Sequence, residues 1–311
     1  MATPPSYTKQ THSATYPAID PTQPGLSTAG KVVVITGASG GIGQATAKSF
    51  ARSGPRALIL FGRRTEALAE TAKLVKSSKA GSDLVVQTHE VDMCDAQGVR
   101  AVADQVAAEL GGIDILVHAA GVLAPVVPLL EADPATFIDG YKTTVVGTLT
   151  VAQAVVLANN KSAAGKELTF LHLTTAGILF PPFPGMGAYV SSKMAAVKLM
   201  QSFAVENPQV RLHHVHPGFL DTKMSTQLSN SGVKLPFAFD DISLPSDFFV
   251  WLASPEASFL NGKLVFTAWH VDELKARQKE IVGGHPGSGE LFLGFQGFPR
   301  FIAGNPLPGL Q

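Results

Sequence analysis

Short apolar runs alternate with amphipathic stretches along most of the chain. VVVIT (32–36) and ALILF (57–61) are apolar at every position and bounded by turn residues, as strands buried on both faces are. LVVQTH (84–89), the start of IDILVHAAG (113–121), LTFLHL (168–173), VRLHHVHP (210–217) and KLVFTA (263–268) continue the series. Between them, 42–52, 64–79, 96–110, 134–159, 188–206 and 247–253 show the spacing of helices. Pro134 stands near the start of its helix, where a missing N–H costs nothing. Alternation of this kind predicts an α/β domain, a doubly wound parallel sheet of about seven strands with helices on both faces.

Three segments break the rhythm. Residues 1–29 are rich in Pro, Thr and Ser and read as an N-terminal arm to a domain spanning 30–268. Residues 269–311 start with the charged helix VDELKARQKEI and end in a Gly/Pro/Phe-rich tail. Its Leu291, Phe292, Leu293, Phe295, Phe298 and Phe301 predict packing against something. Within the domain, 219–245 carries Phe219, Met224, Leu228, Leu235, Phe237 and Phe239 without a helix or strand period, as a lid over a pocket would.

Composition narrows the classes. Of 311 residues, 45% are hydrophobic and 15% charged, enough to bury a large core. The 24 basic and 24 acidic side chains balance, which argues against a nucleic-acid partner. A single cysteine, Cys94, rules out an internal disulfide and a cysteine-based zinc site, and reads as a small core residue. His213 and His214 point to opposite faces of their strand and His216 lies beyond them with no acidic partner in step, so no metal is expected. The most apolar window, 113–130, is interrupted by Asp114, His118 and two prolines, so no membrane partner is expected. The N-terminus lacks the apolar core of a secretory signal, which leaves the cytoplasm as the default expectation.

Three constellations carry chemistry. In VVVITGASGGIG (32–43) a strand enters a glycine-rich turn and a helix. Gly37 permits the tight turn, Gly41 lets backbone approach a pyrophosphate, and Gly43 lets helix and strand pack closely. The phosphates would sit at the helix N-terminus, among free N–H groups. At the end of the second strand, LFGRR (60–64) offers Gly62, Arg63 and Arg64 where NAD-preferring folds place a carboxylate. A guanidinium matches a 2′-phosphate there, so NADPH/NADP+ is expected over NAD(H). Finally, Tyr189 and Lys193 are four residues apart and share a helix face. A phenol with a pKa of about 10 is a weak acid–base group, and a nearby ammonium or a cationic nicotinamide would favour its phenolate.

Taken in order, these residues resemble the short-chain dehydrogenase/reductase family, in its form with a core of about 250 residues. The match runs from about residue 30 to 268 and includes TGASGGIG (36–43), Asp92, the AAG of HAAG (119–121), Tyr189 with Lys193, and HPGFLDT (216–222). HSATYPAIDPTQPGLS and FLNGKLVFTAWHVDELKAR resemble a fungal branch. The resemblance implies a Rossmann fold and hydride transfer with NAD(P)H, Tyr189 as general acid/base and Lys193 as its partner. It implies cofactor contacts from Ser39 and Ile42 in the turn, from Asp92 to the adenine, and from Ala120 and Gly121 beside the ribose. Pro217, Gly218 and Thr222 would border the nicotinamide.

Two positions depart from the family pattern. Where a Ser is usual 12–14 residues before the tyrosine, Thr175 offers the hydroxyl, with Thr174 a close alternative. Where an Asn commonly holds a water three residues before Gly147, this chain has Thr144. The expected function is an NADP(H)-dependent oxidoreductase interconverting a carbonyl and an alcohol on a hydrophobic small molecule of fungal secondary metabolism. Epimerase, dehydratase or cyclase chemistry on the same fold and cofactor is one alternative, prompted by Thr144; a non-catalytic nucleotide-binding regulator is another. A homodimer or homotetramer is implied through the outer faces of 134–159 and 188–206, which carry Ala, Val and Leu.

Overall fold

Val32–Thr36 (β1) and Ala57–Gly62 (β2) are buried at every position, as their unbroken apolar runs require. In the computed structural model, which describes residues 5–78, 83–162, 164–233, 237–283 and 289–294, they pair in parallel. Val85–Glu90 (β3), Ile115–His118 (β4), Leu168–Leu173 (β5), Val210–His216 (β6) and Leu264–Phe266 (β7) complete one parallel sheet in the order β3-β2-β1-β4-β5-β6-β7. The chain lays strands outward from β1 in one direction, then returns to lay β4 on its other side. That reversal opens a crevice at the carboxyl ends of β1 and β4, where doubly wound sheets take ligands.

Residue parity assigns the two faces. Val33 and Ile35 join the core beneath Gly41–Arg52 (α1), Thr65–Ser77 (α2) and Ser243–Ala253 (α8). Val32 and Val34 join the core beneath Ala96–Leu110 (α3), Gly147–Ser162 (α5) and Gly187–Glu206 (α6). Cap residues set the helix ends. Asp95 accepts from the Gln97 and Gly98 amides to start α3, which stops at Gly111 with φ +67°. Asp133 does the same for Pro134–Tyr141 (α4), with Pro134 in the first turn.

The long helix expected over 134–159 runs to Ser162, and it is not regular. Between α4 and α5, residues Lys142–Val146 form a wide turn of π-helix. Such turns concentrate at functional sites. The run Pro134–Ser162 is long and apolar enough to span a membrane by length and composition, but 56% of its most apolar window is buried against the rest of the domain. It is a core helix of the fold.

The N-terminal segment has more structure than its composition announced. It forms single 3-10 turns at Pro17–Ile19 and Pro24–Leu26, and Ile19 and Leu26 are buried in the α1/α8 core. This cover explains why α8 is buried all round, including Asp247. Asp247 accepts hydrogen bonds from Thr15 of the segment (2.7 Å) and Ser49 of α1 (2.6 Å), and pairs with Arg52. Further out, Glu273 accepts from the amides of Lys9 and Gln10, and Arg277 stacks on the Tyr7 ring. The charged helix at 271–281 is two short ones, Val271–Ala276 and Gln278–Val282, broken at Arg277.

The stretch 219–245 also departs from expectation. Lys223–Asn230 (α7) forms there, started by a capping box in which Thr222 and Ser225 bond each other's backbone. Cys94, expected in the core, is exposed. Leu235, Phe295, Phe298 and Phe301 lie outside the described residues.

Candidate active site

The turn after β1 is held open by backbone proximity. Gly37 has φ +68°, and a Cβ there would lie 2.8 Å from the Ala120 nitrogen. A Cβ on Gly43 would collide with the Gly37 carbonyl. Gly41 has φ +51°, and Gly40 ahead of it gives α1 no side-chain cap. The first amides of α1 therefore have no side-chain cap to compete with a ligand, which fits a pyrophosphate. Gly43→Ala is expected to cost about 2 kcal/mol of stability and to weaken dinucleotide binding more than tenfold, because the colliding atoms are backbone. Chemical denaturation and a fluorescence titration with NADPH check both.

Arg64 reaches back over this turn and donates to the Ser39 carbonyl oxygen at 2.8 Å and to its hydroxyl at 3.3 Å. Arg63 pairs with Asp92 at 3.6 Å, both largely exposed. Asp92 also accepts from the Cys94 amide. Ser39, Arg63, Arg64 and Asp92 thus form an outer rim around the end of β2. Among the described residues no carboxylate bonds Arg64.

Eight of the expected residues line a single cavity: Ile42, Gly121, Thr175, Tyr189, Lys193, Pro217, Gly218 and Thr222. Its other walls are mainly apolar. Phe180, Phe183 and Met186 come from the loop before α6, and Phe219, Met224 and Phe237 from the segment around α7. Phe219 and Phe237 pack ring to ring at 4.7 Å, so that segment is closed by its own aromatics. Gly37, Ser39, Gly41, Gly43, Arg63, Arg64, Asp92, Ala120 and Thr144 do not line the cavity; all but Thr144 belong to the turn, the rim and the loop beside it.

Inside the cavity, burial pushes the Tyr189 phenol up to about 12, and a hydrogen bond with Thr175 opposes the shift. Thr175, rather than Thr174, is therefore the hydroxyl beside the phenol. The Thr174 hydroxyl is buried without a protein partner. Burial pushes the Lys193 amine down to about 8, and its Nζ donates to the Leu173 carbonyl at 2.9 Å. A Cβ on Gly121 would lie 3.7 Å from that Nζ, so Lys193 reaches the loop expected beside the ribose. The ammonium is not among the influences on the phenol in the protein alone.

Three features of this region carry no local signature in the sequence. His216 lines the cavity, edge-on to Phe219 at 5.4 Å, and its Nδ1 has no protein partner. Asp240 accepts from the Phe219 amide and lies where a Cβ on Gly218 would intrude, pinning the HPG turn. His118 bonds the hydroxyls of Thr36 and Thr148. The partners come from distant parts of the chain, Asp240 from the segment after α7 and Thr148 from α5, and no spacing of nearby residues signals them. Among the described residues no group of His, Cys, Asp or Glu is arranged to hold a metal.

The family model for short chain dehydrogenases matches residues 31–232, which include the turn, the tyrosine and the lysine. The chain belongs to the short-chain dehydrogenase family. Like its members, it is an NAD(P)-dependent oxidoreductase. A short chain dehydrogenase of Monascus purpureus is 35% identical over 91% of this chain and 97% of the relative. A short chain dehydrogenase/reductase of Claviceps purpurea is 34% identical over 89% and 91%. Among solved structures, a short-chain type dehydrogenase/reductase from Mycobacterium marinum superposes with TM-score 0.70 at 27% identity, covering 78% of this chain and 95% of that one. Carveol dehydrogenase from Mycobacterium avium, in complex with NAD, gives 0.67 at 25% over 76% and 96%. The short-chain dehydrogenase core thus covers less of this chain than the fungal relatives do.

Proposed function

We propose that the protein is an NADP(H)-dependent carbonyl reductase, or the reverse alcohol dehydrogenase, for a hydrophobic small molecule. One observation carries the reading: Tyr189, Thr175 and Lys193 converge on an apolar cavity that opens beside the glycine turn. The dinucleotide supplies or takes the hydride. Tyr189 gives its proton to the substrate oxygen in reduction and takes it back in oxidation. Thr175 holds the phenol and offers the same oxygen a second hydroxyl. Lys193, which reaches the Gly121 loop, would hold the ribose of a bound dinucleotide. The aromatic walls exclude water and take the substrate's apolar body.

NADPH preference is supported by the rim. Arg64 and Arg63 stand where a 2′-phosphate would arrive, and Ser39 adds a hydroxyl. Each charge-assisted bond there is worth about 1.5–3 kcal/mol. Arg64→Ala is therefore expected to raise the KM for NADPH by about tenfold or more and to leave that for NADH nearly unchanged. Equal effects on both would refute the assignment. The function itself is tested by following NADPH absorbance with a panel of aromatic and aliphatic ketones. Failure to turn over any of them in either direction would overturn it.

We propose further that the protein acts in the cytoplasm and in fungal secondary metabolism, the latter in keeping with the fungal origin of its relatives. It assembles as a homodimer or homotetramer through α5 and α6. A groove between them is lined by Leu149, Val156, Leu157, Leu199 and Phe203, while Leu157 and Val205 stay exposed. Leu157→Arg is expected to halve the mass measured by light scattering. A mass unchanged by that substitution would remove this face from consideration.

A further inference from the structure

Thr36, His118, His172 and His214 lie side by side across β1, β4, β5 and β6, each the register partner of the next. All four are buried on the face covered by α5 and α6. Around His118 the hydrogen bonds form a single chain whose direction follows from its ends. The Thr144 carbonyl, which only accepts, receives the Thr148 hydroxyl at 2.6 Å. Thr148 must then accept from His118 Nε2, 3.1 Å away. The imidazole is kept neutral by burial, so its Nδ1 is an acceptor and receives the Thr36 hydroxyl at 2.9 Å. Thr36 in turn accepts the Ala120 amide at 3.1 Å. Every polar atom of the ring is used, and the proton sits on Nε2.

The two ends of this chain lie on either side of the reactive residues. Ala120 packs against Gly37 and precedes Gly121, which Lys193 approaches. Thr144 lies in the wide turn Lys142–Val146, which packs against α6, the helix bearing Tyr189 and Lys193. Thr144 also stands where the family's water-holding Asn is expected, and its carbonyl is held by Thr148. We infer that His118 is a positioning residue: as the Nε2–H tautomer it ties the Ala120–Gly121 loop to the wide turn and so fixes the frame in which Lys193 and Tyr189 work. The inference rests on the oxidoreductase reading of the cavity. A protonated His118 would turn a second donor toward Thr36 and break the chain's direction.

Thr148→Val keeps the shape of the side chain and removes only the hydroxyl, and Thr148→Ser restores it. Steady-state rates of the full-length enzyme with NADPH and a ketone substrate, well below its unfolding midpoint, should show kcat about tenfold lower in Thr148→Val, substrate KM within twofold of wild type, and recovery in Thr148→Ser. Wild-type kcat in Thr148→Val and in His118→Gln overturns the inference. So does a loss of rate that only follows a loss of folded protein and is not recovered by Ser. A second readout needs no turnover. Ring nitrogen NMR of labelled histidine should show His118 as the Nε2–H tautomer, with signals that move when NADP+ binds. A Nδ1–H tautomer, or signals indifferent to NADP+, overturns it. Should wild type prove inert on every carbonyl, the reductase reading falls, while these spectra still decide the case for His118.

Discussion

Acidification from about pH 7 to about pH 5 is expected to unfold the protein cooperatively, without any substitution. Burial holds the imidazoles of His118, His213, His214 and His216 down to about 3 and that of His172 well below its usual value. In the unfolded chain each would titrate near 6.5. Between those values the unfolded chain binds protons that the folded one refuses. The stability is therefore whole above about pH 6.5 and drains away as pH falls through the window. One pH unit into it, each such group costs about 1.4 kcal/mol, and several together rival the roughly 5–15 kcal/mol that holds a domain folded. His172 and His214 share a 2.9 Å hydrogen bond between Nδ1 atoms, so one ring donates there and the other accepts, and a proton added to the accepting Nδ1 would break the bond. Urea midpoints measured by circular dichroism across this range test it. A midpoint that stays flat from neutrality to pH 5 would show that these rings find protons or partners in the folded state.

Replacing Tyr189 by Phe is expected to lower kcat by about 10²–10⁴-fold, the usual worth of a positioned acid–base group. NADPH affinity and thermal stability should hardly change, since the ring keeps its packing and loses only the hydroxyl that bonds Thr175. The direction of proton transfer gives this prediction a pH signature. With its phenol pushed up to about 12, Tyr189 is protonated at neutral pH and ready to act as an acid. Reduction should therefore proceed at neutrality and decline as Lys193, pushed down to about 8, loses its charge. Oxidation needs the phenolate and should rise on the alkaline side. Stopped-flow and steady-state rates across pH in both directions measure this. A Phe variant as fast as wild type would remove the phenol from the chemistry.

The legible part of the sequence is whatever local chemistry writes into consecutive residues. VVVIT and ALILF are strands because nothing in them tolerates water on either side. The limits of α3 coincide with expectation because Asp95 and Gly111 mark both ends. Tyr189 and Lys193 declare themselves by spacing, and the structure sets them on one cavity with Thr175. Harder cases are those where distant residues decide. The wide turn at Lys142–Val146 interrupts a helix whose apolar spacing reads through it. Residues 223–230 form a helix because Thr222 and Ser225 cap it, a signal two residues strong in a stretch otherwise without period. His118 has no local signature because Thr36 and Thr148, its two partners, are 82 and 30 positions away. Ile19 and Leu26 lack a pattern since each is a lone buried residue of its own short turn, joined to the α1/α8 core.

The N-terminal segment has a consequence for how the molecule is made. Its docking partners, Asp247, Trp269, His270 and Glu273, belong to the far end of the chain. During synthesis these particular contacts must therefore wait until α8 and the residues after β7 have been made, although Asp20 and Thr28 can already meet Arg52 and Ser53. Only when α8 and the residues after β7 emerge can Ile19 and Leu26 be shut in. A nascent chain stalled short of residue 247 should leave this leading segment open to protease, and release of the finished chain should close it.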